Sequence, residues 1–341
     1  MFRSMHASTP MTVRTNWTDR PVNTGSAKLA INTVMRVYQK IKKTYKYLEI
    51  KDILFCDDWG KSFRKDIYDG YKKKRGSKER TEAENNALTD MFVMKNLVLY
   101  VFYQMGSQVF AKKNYEADDV IGYLTNLFKK RDIYSTIVSG DIDMSQLISD
   151  HTSLLRFEGK EMVTYSPTNM DYISLIGKKK EPWGCKNRAD VVLYKATVGD
   201  SSDEYPGIPR FGEAKWLEMQ KFIKDSGLSS GYVLMKTDDF FEQYAESGKK
   251  GKSAANLYLK NKKLFETCKD LAVIRRTVTP DERMPFYRSA KSNGDDELTA
   301  IRNEERKFQN AIDALSSYKM LETLNTFKSL KSMGALYVDA K

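Results

Sequence analysis

Between Asn114 and Asp143 the chain sets Glu116-Ala117-Asp118-Asp119 at the head of an amphipathic helical stretch. It then sets Ser139-Gly140-Asp141-Ile142-Asp143 at the end of the short β-branched run Ser135-Thr136-Ile137-Val138-Ser139. This pairing constrains the fold more than any other feature. A β-branched run bounded by glycine is a buried strand. Asp141 and Asp143 then lie just past a strand's carboxyl end, where open α/β sheets place their sites. Acids in a first helical turn complement the helix dipole and need no further reason. Five acids converging from two elements do need one, because like charges held together repel and raise each other's pKa. Carboxylates with no Cys or His nearby suit Mg²⁺ or Mn²⁺ better than zinc.

The rest of the chain has the opposite charge. Over 341 residues the formal net charge is +12 despite the acids gathered in one stretch. The remaining surface is therefore basic, and a polyanion such as nucleic acid is the expected partner. No apolar run of membrane-spanning length occurs. Cys56, Cys185 and Cys268 are few, odd in number and far apart, which disfavours a disulfide framework and suggests a reducing cytosol. The length allows a sizeable core in one large or two medium domains.

Met1 to Ser26 reads as polar and irregular, and Ala27 to Tyr45 as a helix with an apolar stripe. Ile50 to Cys56 reads as a strand with Asp57-Asp58 at its end. From Gly60 to Arg80, Lys61, Arg64, Lys65, Lys72, Lys73, Lys74, Arg75, Lys78 and Arg80 alternate with Phe63, Tyr68 and Tyr71. Most charge runs are solvated faces. Here the aromatics are spaced to stack on unpaired bases while the cations track phosphates, and that reading is preferred. A long helix over Thr81 to Met105 and a strand over Ser107 to Ala111 lead into the acidic stretch. Beyond it come a helix from Met144, strands over Ser153–Phe157 and Met162–Tyr165, a helix opening at Ser166-Pro167, and a helix over Ala189 to Val198.

Gly199-Asp200-Ser201-Ser202-Asp203 follows, then Gly207-Ile208-Pro209-Arg210-Phe211-Gly212 before a helix near Glu213. Asp200 and Asp203 share one face of a turn. A loop feeding a helix N-terminus is a phosphate-binding geometry, although this loop composition alone is more often just a turn. Ala214 onward reads as helical and basic, with exposed loops over Ser247–Ser253 and Ser289–Asp296.

Taken in order, a strand with Asp58, a basic arch, Glu-Ala-Asp-Asp, Gly-Asp-x-Asp, and Gly-Asp-x-x-Asp before a glycine loop resemble the flap endonuclease / 5′→3′ exonuclease superfamily. The bacteriophage RNase H and 5′-exonuclease members are the closest in pattern. The likeness runs from about Ala27 to about Arg276. It implies an α/β fold with a central, largely parallel, PIN-like sheet flanked by helices, a helical arch, and a helix–three-turn–helix. The expected organisation is a nuclease core over 1–184, a DNA-binding helix–three-turn–helix region over 185–276, and a helical C-terminal region over 277–341.

On this resemblance Asp58, Glu116, Asp118, Asp119, Asp141, Asp143, Asp200 and Asp203 are the metal carboxylates, and Lys72 and Arg75 the catalytic basic pair. Lys61, Arg64, Tyr71, Lys73, Lys74, Lys78 and Arg80, with Gly207, Ile208, Arg210 and Gly212, are the nucleic-acid contacts, Tyr71 by stacking. The implied activity is two-metal hydrolysis of phosphodiester bonds at 5′ ends with two Mg²⁺ or Mn²⁺. It would remove RNA primers and flaps during phage DNA replication. In many members the glycine loop also binds a monovalent cation; Pro209 removes one amide donor from it here. The implied substrates are DNA and RNA/DNA hybrids with free 5′ ends or flaps. A single-strand-binding protein or sliding clamp is the implied replication partner. The expected state is a monomer in the cytoplasm, that of a host bacterium if phage-encoded, with no membrane role.

The chain opens Met1-Phe2-Arg3-Ser4-Met5-His6, which resembles the residues just after the superfamily's first strand and its Asp. The expectation is that a native segment on the order of 5–15 residues precedes it. Two other readings compete. One is a catalytically impaired DNA-binding relative of the same fold. The other is a different PIN-like Mg²⁺ nuclease, which the arch and glycine loop disfavour.

Overall fold

A computed structural model describes residues 12–15, 18–44, 53–74, 79–159, 161–169, 188–283, 285, 311, 313–316 and 320. The chain is of the α/β class and forms two compact units. The first comprises Met1–Asp57, Glu79–Ala111 and Asp281–Lys341; the second comprises Asp58–Lys78 and Lys112–Pro280.

In the first unit, β1 (Thr12–Val13) and β2 (Val22–Asn23) make a small antiparallel ribbon within the stretch read as irregular. Helix α1 (Gly25–Thr44) packs on α3 (Glu82–Gln104). Thr81 starts α3 as a reciprocal capping box: its hydroxyl accepts from Glu84 N, and the Glu84 carboxylate accepts from Thr81 N at 2.9 Å. The apolar half of α3 buries Met94, Leu97, Val98, Val101 and Phe102 with Ile31 and Met35 of α1 in one core. Arg20 clamps buried Asp90 through both guanidinium nitrogens, at 2.9 and 2.8 Å.

β3 spans Leu54–Trp59, so Asp57 and Asp58 lie inside the strand rather than beyond its end. The ladder continues because Asn114 N donates to Trp59 O at 2.7 Å. Successive strand residues point to opposite faces. Asp57 is accordingly buried in the first unit between Lys95 and Arg283. Asp58, exposed in the second, accepts a hydrogen bond from Ala117 N at 2.7 Å. The second unit carries short α2 (Arg64–Ile67), and β4 (Gln108–Lys113) enters it at Lys112.

Helix α4 (Ala117–Lys130) leads to β5 (Ser135–Val138), which pairs in parallel with β6 (Thr152–Glu158) in the register Ser135↔Thr152 to Val138↔Leu155. β7 (Glu161–Tyr165) returns antiparallel to β6. The described strands thus form one ribbon and two three-stranded sheets, the other being β3-β4-β8, with β8 at Asp281–Glu282. The segment after Asp141 is a 3₁₀ turn over Ile142–Leu147, not an α-helix from Met144. Asp141 caps it by accepting from Asp143 N at 2.9 Å.

α5 (Arg188–Val198) is buried on every side from Asp190 to Thr197, which carries Lys195 into the interior. The following helices are α6 (Glu213–Asp225), α7 (Ser230–Met235), α8 (Thr237–Glu246), α9 (Lys249–Lys260) and α10 (Lys262–Ala272). They close around Leu193, Phe211, Trp216, Phe240, Phe241, Tyr258 and Phe265.

The loop expected over Ser247–Ser253 is instead mostly the first turn of α9. Lysines at 249, 250 and 252 oppose the helix dipole and hide the start. Packing decides it: a Cβ at Gly251 would lie 1.8 Å from Tyr244 O, so only glycine lets α9 come this close to α8. Of the helix expected from Ser166, a turn is seen through Asn169, and the rest lies outside the described residues, as does Ser289–Asp296.

Gly199 and Gly207, both at positive φ, cross back to back. A Cβ on Gly199 would meet Pro206 C at 2.4 Å, and one on Gly207 would meet Gly199 N at 2.4 Å. Asp200 and Tyr205 pair through both backbone groups, at 2.9 and 3.1 Å, and close the loop that holds Asp200 and Asp203.

Candidate active site

The eight acids expected to hold metal all fall in the second unit, but they do not share one environment. Asp119 is fully buried and is held by Arg64 through Nη1 at 2.7 Å and Nη2 at 2.9 Å, while its Oδ1 also accepts from Arg275 N at 2.8 Å. Arg64 in turn donates to the carbonyls of Leu271 and Val273, each at 3.0 Å. Arg64, expected on the nucleic-acid face, is therefore 2 % exposed and part of the core.

The remaining acids are crowded with less compensation. Asp118, partly buried, has its carboxyl held well above the usual range by burial and by the charges of Asp141, Asp143 and Glu116. Burial, with the Asp141 and Asp200 charges, pushes Asp143 up to about 6 against the pull of Lys195. Burial also raises Asp203. Asp200 is lowered: burial is outweighed by Lys195 and by hydrogen bonds from Ser202 N (2.7 Å) and Ser202 Oγ (2.6 Å). Asp143, Asp200 and Asp203 bring carboxylate oxygens within 4.8 Å of one another. Donors that are all oxygen, close and mutually repelled fit hard divalent cations such as Mg²⁺ or Mn²⁺.

Two lysines enter this cluster. Lys72 Nζ lies 2.8 Å from Glu116 Oε1 and 3.5 Å from Asp203 Oδ1. Its own backbone sits at φ 49, an uncommon region for a non-glycine residue and one often found at functional sites. Lys195, 6 % exposed, pairs with Asp143 and, at 2.5 Å, with Asp200. Sequence reasoning missed Lys195. The available signal was a single charge in the apolar run Val191-Val192-Leu193-Tyr194-Lys195-Ala196, because a buried lysine needs carboxylate partners.

Tyr71 departs from its expected stacking place. It is 1 % exposed, and its hydroxyl lies 3.0 Å from both Glu116 Oε2 and Asp203 Oδ2. Two carboxylates reward burial of the phenol, so its ring does not face solvent. Lys61, Lys73 and Lys74 are exposed in the second unit, and Arg80 belongs to the first. Arg75 and Lys78 lie outside the described residues.

In the glycine loop, Ile208 is buried and its N–H donates to Thr197 O at 2.8 Å. Gly207 is held in the crossing described above. Neither is open to a phosphate, whereas Arg210 and Gly212 are exposed at the start of α6.

An α/β frame with a carboxylate centre suited to divalent cations, followed by a tight loop and a helix start, is the class of protein these features define. A family model described as the 5′-3′ exonuclease, N-terminal resolvase-like domain matches residues 1–173, and the chain belongs to that family, within the flap endonuclease / 5′-3′ exonuclease superfamily.

A 5′-3′ exonuclease of Mycoplasma genitalium is 37% identical over 169 residues, covering 49% of this chain and 52% of that protein. DNA polymerase I of Streptococcus pneumoniae is 29% identical over 195 residues, covering 57% of this chain and 20% of that one. The chain thus spans about half the length of the first relative and a fifth of the second. Among solved structures, T5 5′-exonuclease with bound zinc superposes with a TM-score of 0.54 at 18% identity, over 88% of this chain and 89% of that one. The T5 flap endonuclease in a pseudo-enzyme-product complex with DNA and metal ions gives 0.53, also at 18% identity, over 89% and 90%. These two likenesses concern the fold. No described helix is long and apolar enough to cross a membrane.

Proposed function

We propose that the chain is a structure-specific 5′→3′ exonuclease and flap endonuclease. It would hydrolyse phosphodiester bonds near 5′ ends of DNA and RNA/DNA hybrids, removing RNA primers and flaps during phage replication in a bacterial cytoplasm. The observation that carries this reading is the convergence of Glu116, Asp118, Asp141, Asp143, Asp200 and Asp203 on one oxygen-only centre with Lys72 inside it. The T5 flap endonuclease in complex with DNA and metal ions, which shares this fold, supports the same reading.

Asp58, Glu116, Asp118, Asp141 and Asp143 would hold divalent cations, two by family likeness, with Asp200 and Asp203 as outer ligands. Bound cations of this kind lower the pKa of water and neutralise charge on a phosphate. Asp119 is left out of this set, because its oxygens are engaged by Arg64 and Arg275. Its part is to seat α4 so that Glu116 and Asp118 face the centre. Lys72, already placed among the acids, would offset charge on the scissile phosphate, and Arg75 would act beside it. Lys61, Lys73, Lys74, Lys78, Arg80 and Arg210 would follow the backbone phosphates. Gly212, at the head of α6, would face the duplex, with a monovalent cation at the Gly207–Gly212 loop. A single-strand-binding protein or sliding clamp would recruit the enzyme.

The test is cleavage of a 5′-labelled flap with Mg²⁺, with a chelator, and by Asp141→Ala. The expected result is short 5′-labelled products only with Mg²⁺ and the parent chain. Equal cleavage by Asp141→Ala overturns the site assignment. Tight flap binding without cleavage under all conditions identifies a binding relative instead.

A further inference from the structure

We propose that Lys195 is a built-in counter-cation that limits how strongly Asp143, Asp200 and Asp203 take up divalent cations. The inference rests on reading these acids as cation ligands, and it adds a residue which that reading does not assign.

Three carboxylates whose oxygens come within 4.8 Å of one another carry three like charges, and a cation between them relieves the repulsion. Lys195 does this from inside the fold. Its ammonium pairs with Asp143, which follows β5, and with Asp200, which follows α5. It thereby ties two acids from different elements to one point.

Lys72 differs in kind. It lies nearer the surface, with its side chain 18% exposed, and belongs to the basic arch segment. Lys195 has an 8% exposed side chain and rises from a helix whose flanking residues Leu193, Ala196 and Thr197 are buried. A divalent cation arriving at Asp143 and Asp200 must share their oxygens with this ammonium. Two like-signed charges a few ångströms apart repel, and more strongly in a buried site than in bulk water. The cation therefore binds less tightly than the acids alone would allow. Weak uptake suits a centre that must admit a phosphate and let a product go.

The test is calorimetric titration with Ca²⁺, without nucleic acid, of the parent, Lys195→Met and Lys195→Arg. Methionine keeps the length and apolar stem and removes the charge. Lys195→Met should bind Ca²⁺ roughly tenfold or more tightly, or take up an additional ion. Lys195→Arg should stay near the parent. Unchanged or weaker binding by a folded Lys195→Met chain, judged by circular dichroism, overturns the proposal.

Should Lys195→Met fail to fold, the lysine side-chain NMR spectrum of the parent replaces it, with Lys195 assigned from the peak missing in Lys195→Arg. That resonance should move in step with Ca²⁺ saturation, and a resonance that stays fixed overturns the proposal. If the parent itself takes up no Ca²⁺ or Mn²⁺ and Asp141→Ala cleaves normally, the reading of these acids as cation ligands fails. If the parent binds and only the Lys195 effect is missing, this inference alone fails.

Discussion

Asp118 and Asp119 are neighbours on the first turn of α4, yet they belong to two differently built regions. Around Asp119 every charge is answered: Arg64 grips it with two nitrogens, Arg275 N adds a third bond, and the guanidinium's other donors reach Leu271 and Val273. Around Asp118 the near charges are mostly other carboxylates. A buried charge that is fully answered fixes geometry; one left among like charges is kept for chemistry, and its stability cost is borne by the rest of the fold.

The largest effect should come from breaking the answered side. Arg64→Met leaves Asp119 buried without its cation and should cost about 3–5 kcal/mol in urea unfolding. A loss under 1 kcal/mol would mean that Asp119 does not depend on the pair.

Asp118→Asn should have the opposite sign. Its folded-state pKa lies above the ordinary value, so its ionised form is disfavoured in the native state at neutral pH. Removing that charge should stabilise the cation-free protein in urea unfolding while Mg²⁺-dependent cleavage falls steeply. Destabilisation with a chelator present would show that the charge was compensated after all.

Tyr71→Phe tests the border between the two regions, since the phenol touches Glu116 and Asp203. It should cost about 1 kcal/mol, the usual net worth of such a hydrogen bond, and move chemistry less than Asp118→Asn. A loss confined to flap affinity, with stability unchanged, would restore Tyr71 to a stacking role.

The smallest stability effect belongs to Lys61→Ala, whose pair with Asp66 is exposed on both sides. It should change unfolding by less than about 1 kcal/mol. If Lys61 tracks a phosphate, the slope of log affinity against log salt should shrink by about one. An unchanged slope would remove Lys61 from the contact surface.

The acidic spacings were legible in sequence, since Gly-Asp-x-Asp after a β-branched run needs no knowledge of any partner, but nothing local told Asp119, which Arg64 holds, from Asp118. Arg64 was not legible. In a run of nine basic residues nothing local marks the one whose partners lie at Asp119, Leu271 and Val273. The burial of Tyr71 was hidden for the same reason, since it depends on Asp203, far along the chain. Gly251 shows the reverse case: the residue that makes α9 possible looks in sequence like the mark of a loop. Lys195 stood between these extremes. Its apolar neighbours announced burial, and only the fold named the acids that answer it.

The crossing of Gly199 over Gly207 gives the segment between them the logic of a buckle. The chain enters and leaves at nearly one point, so the helices on either side are set by the clasp and not by the length of strap. Insertions near Ser201 and Ser202 could be taken up outward, leaving α5 and α6 where they are. A single methyl at either glycine would instead open the clasp, freeing Asp200 and Asp203 from Lys195 and Lys72 together. On this part of the protein, one carbon atom in the wrong place would be felt more than several extra residues in the right one.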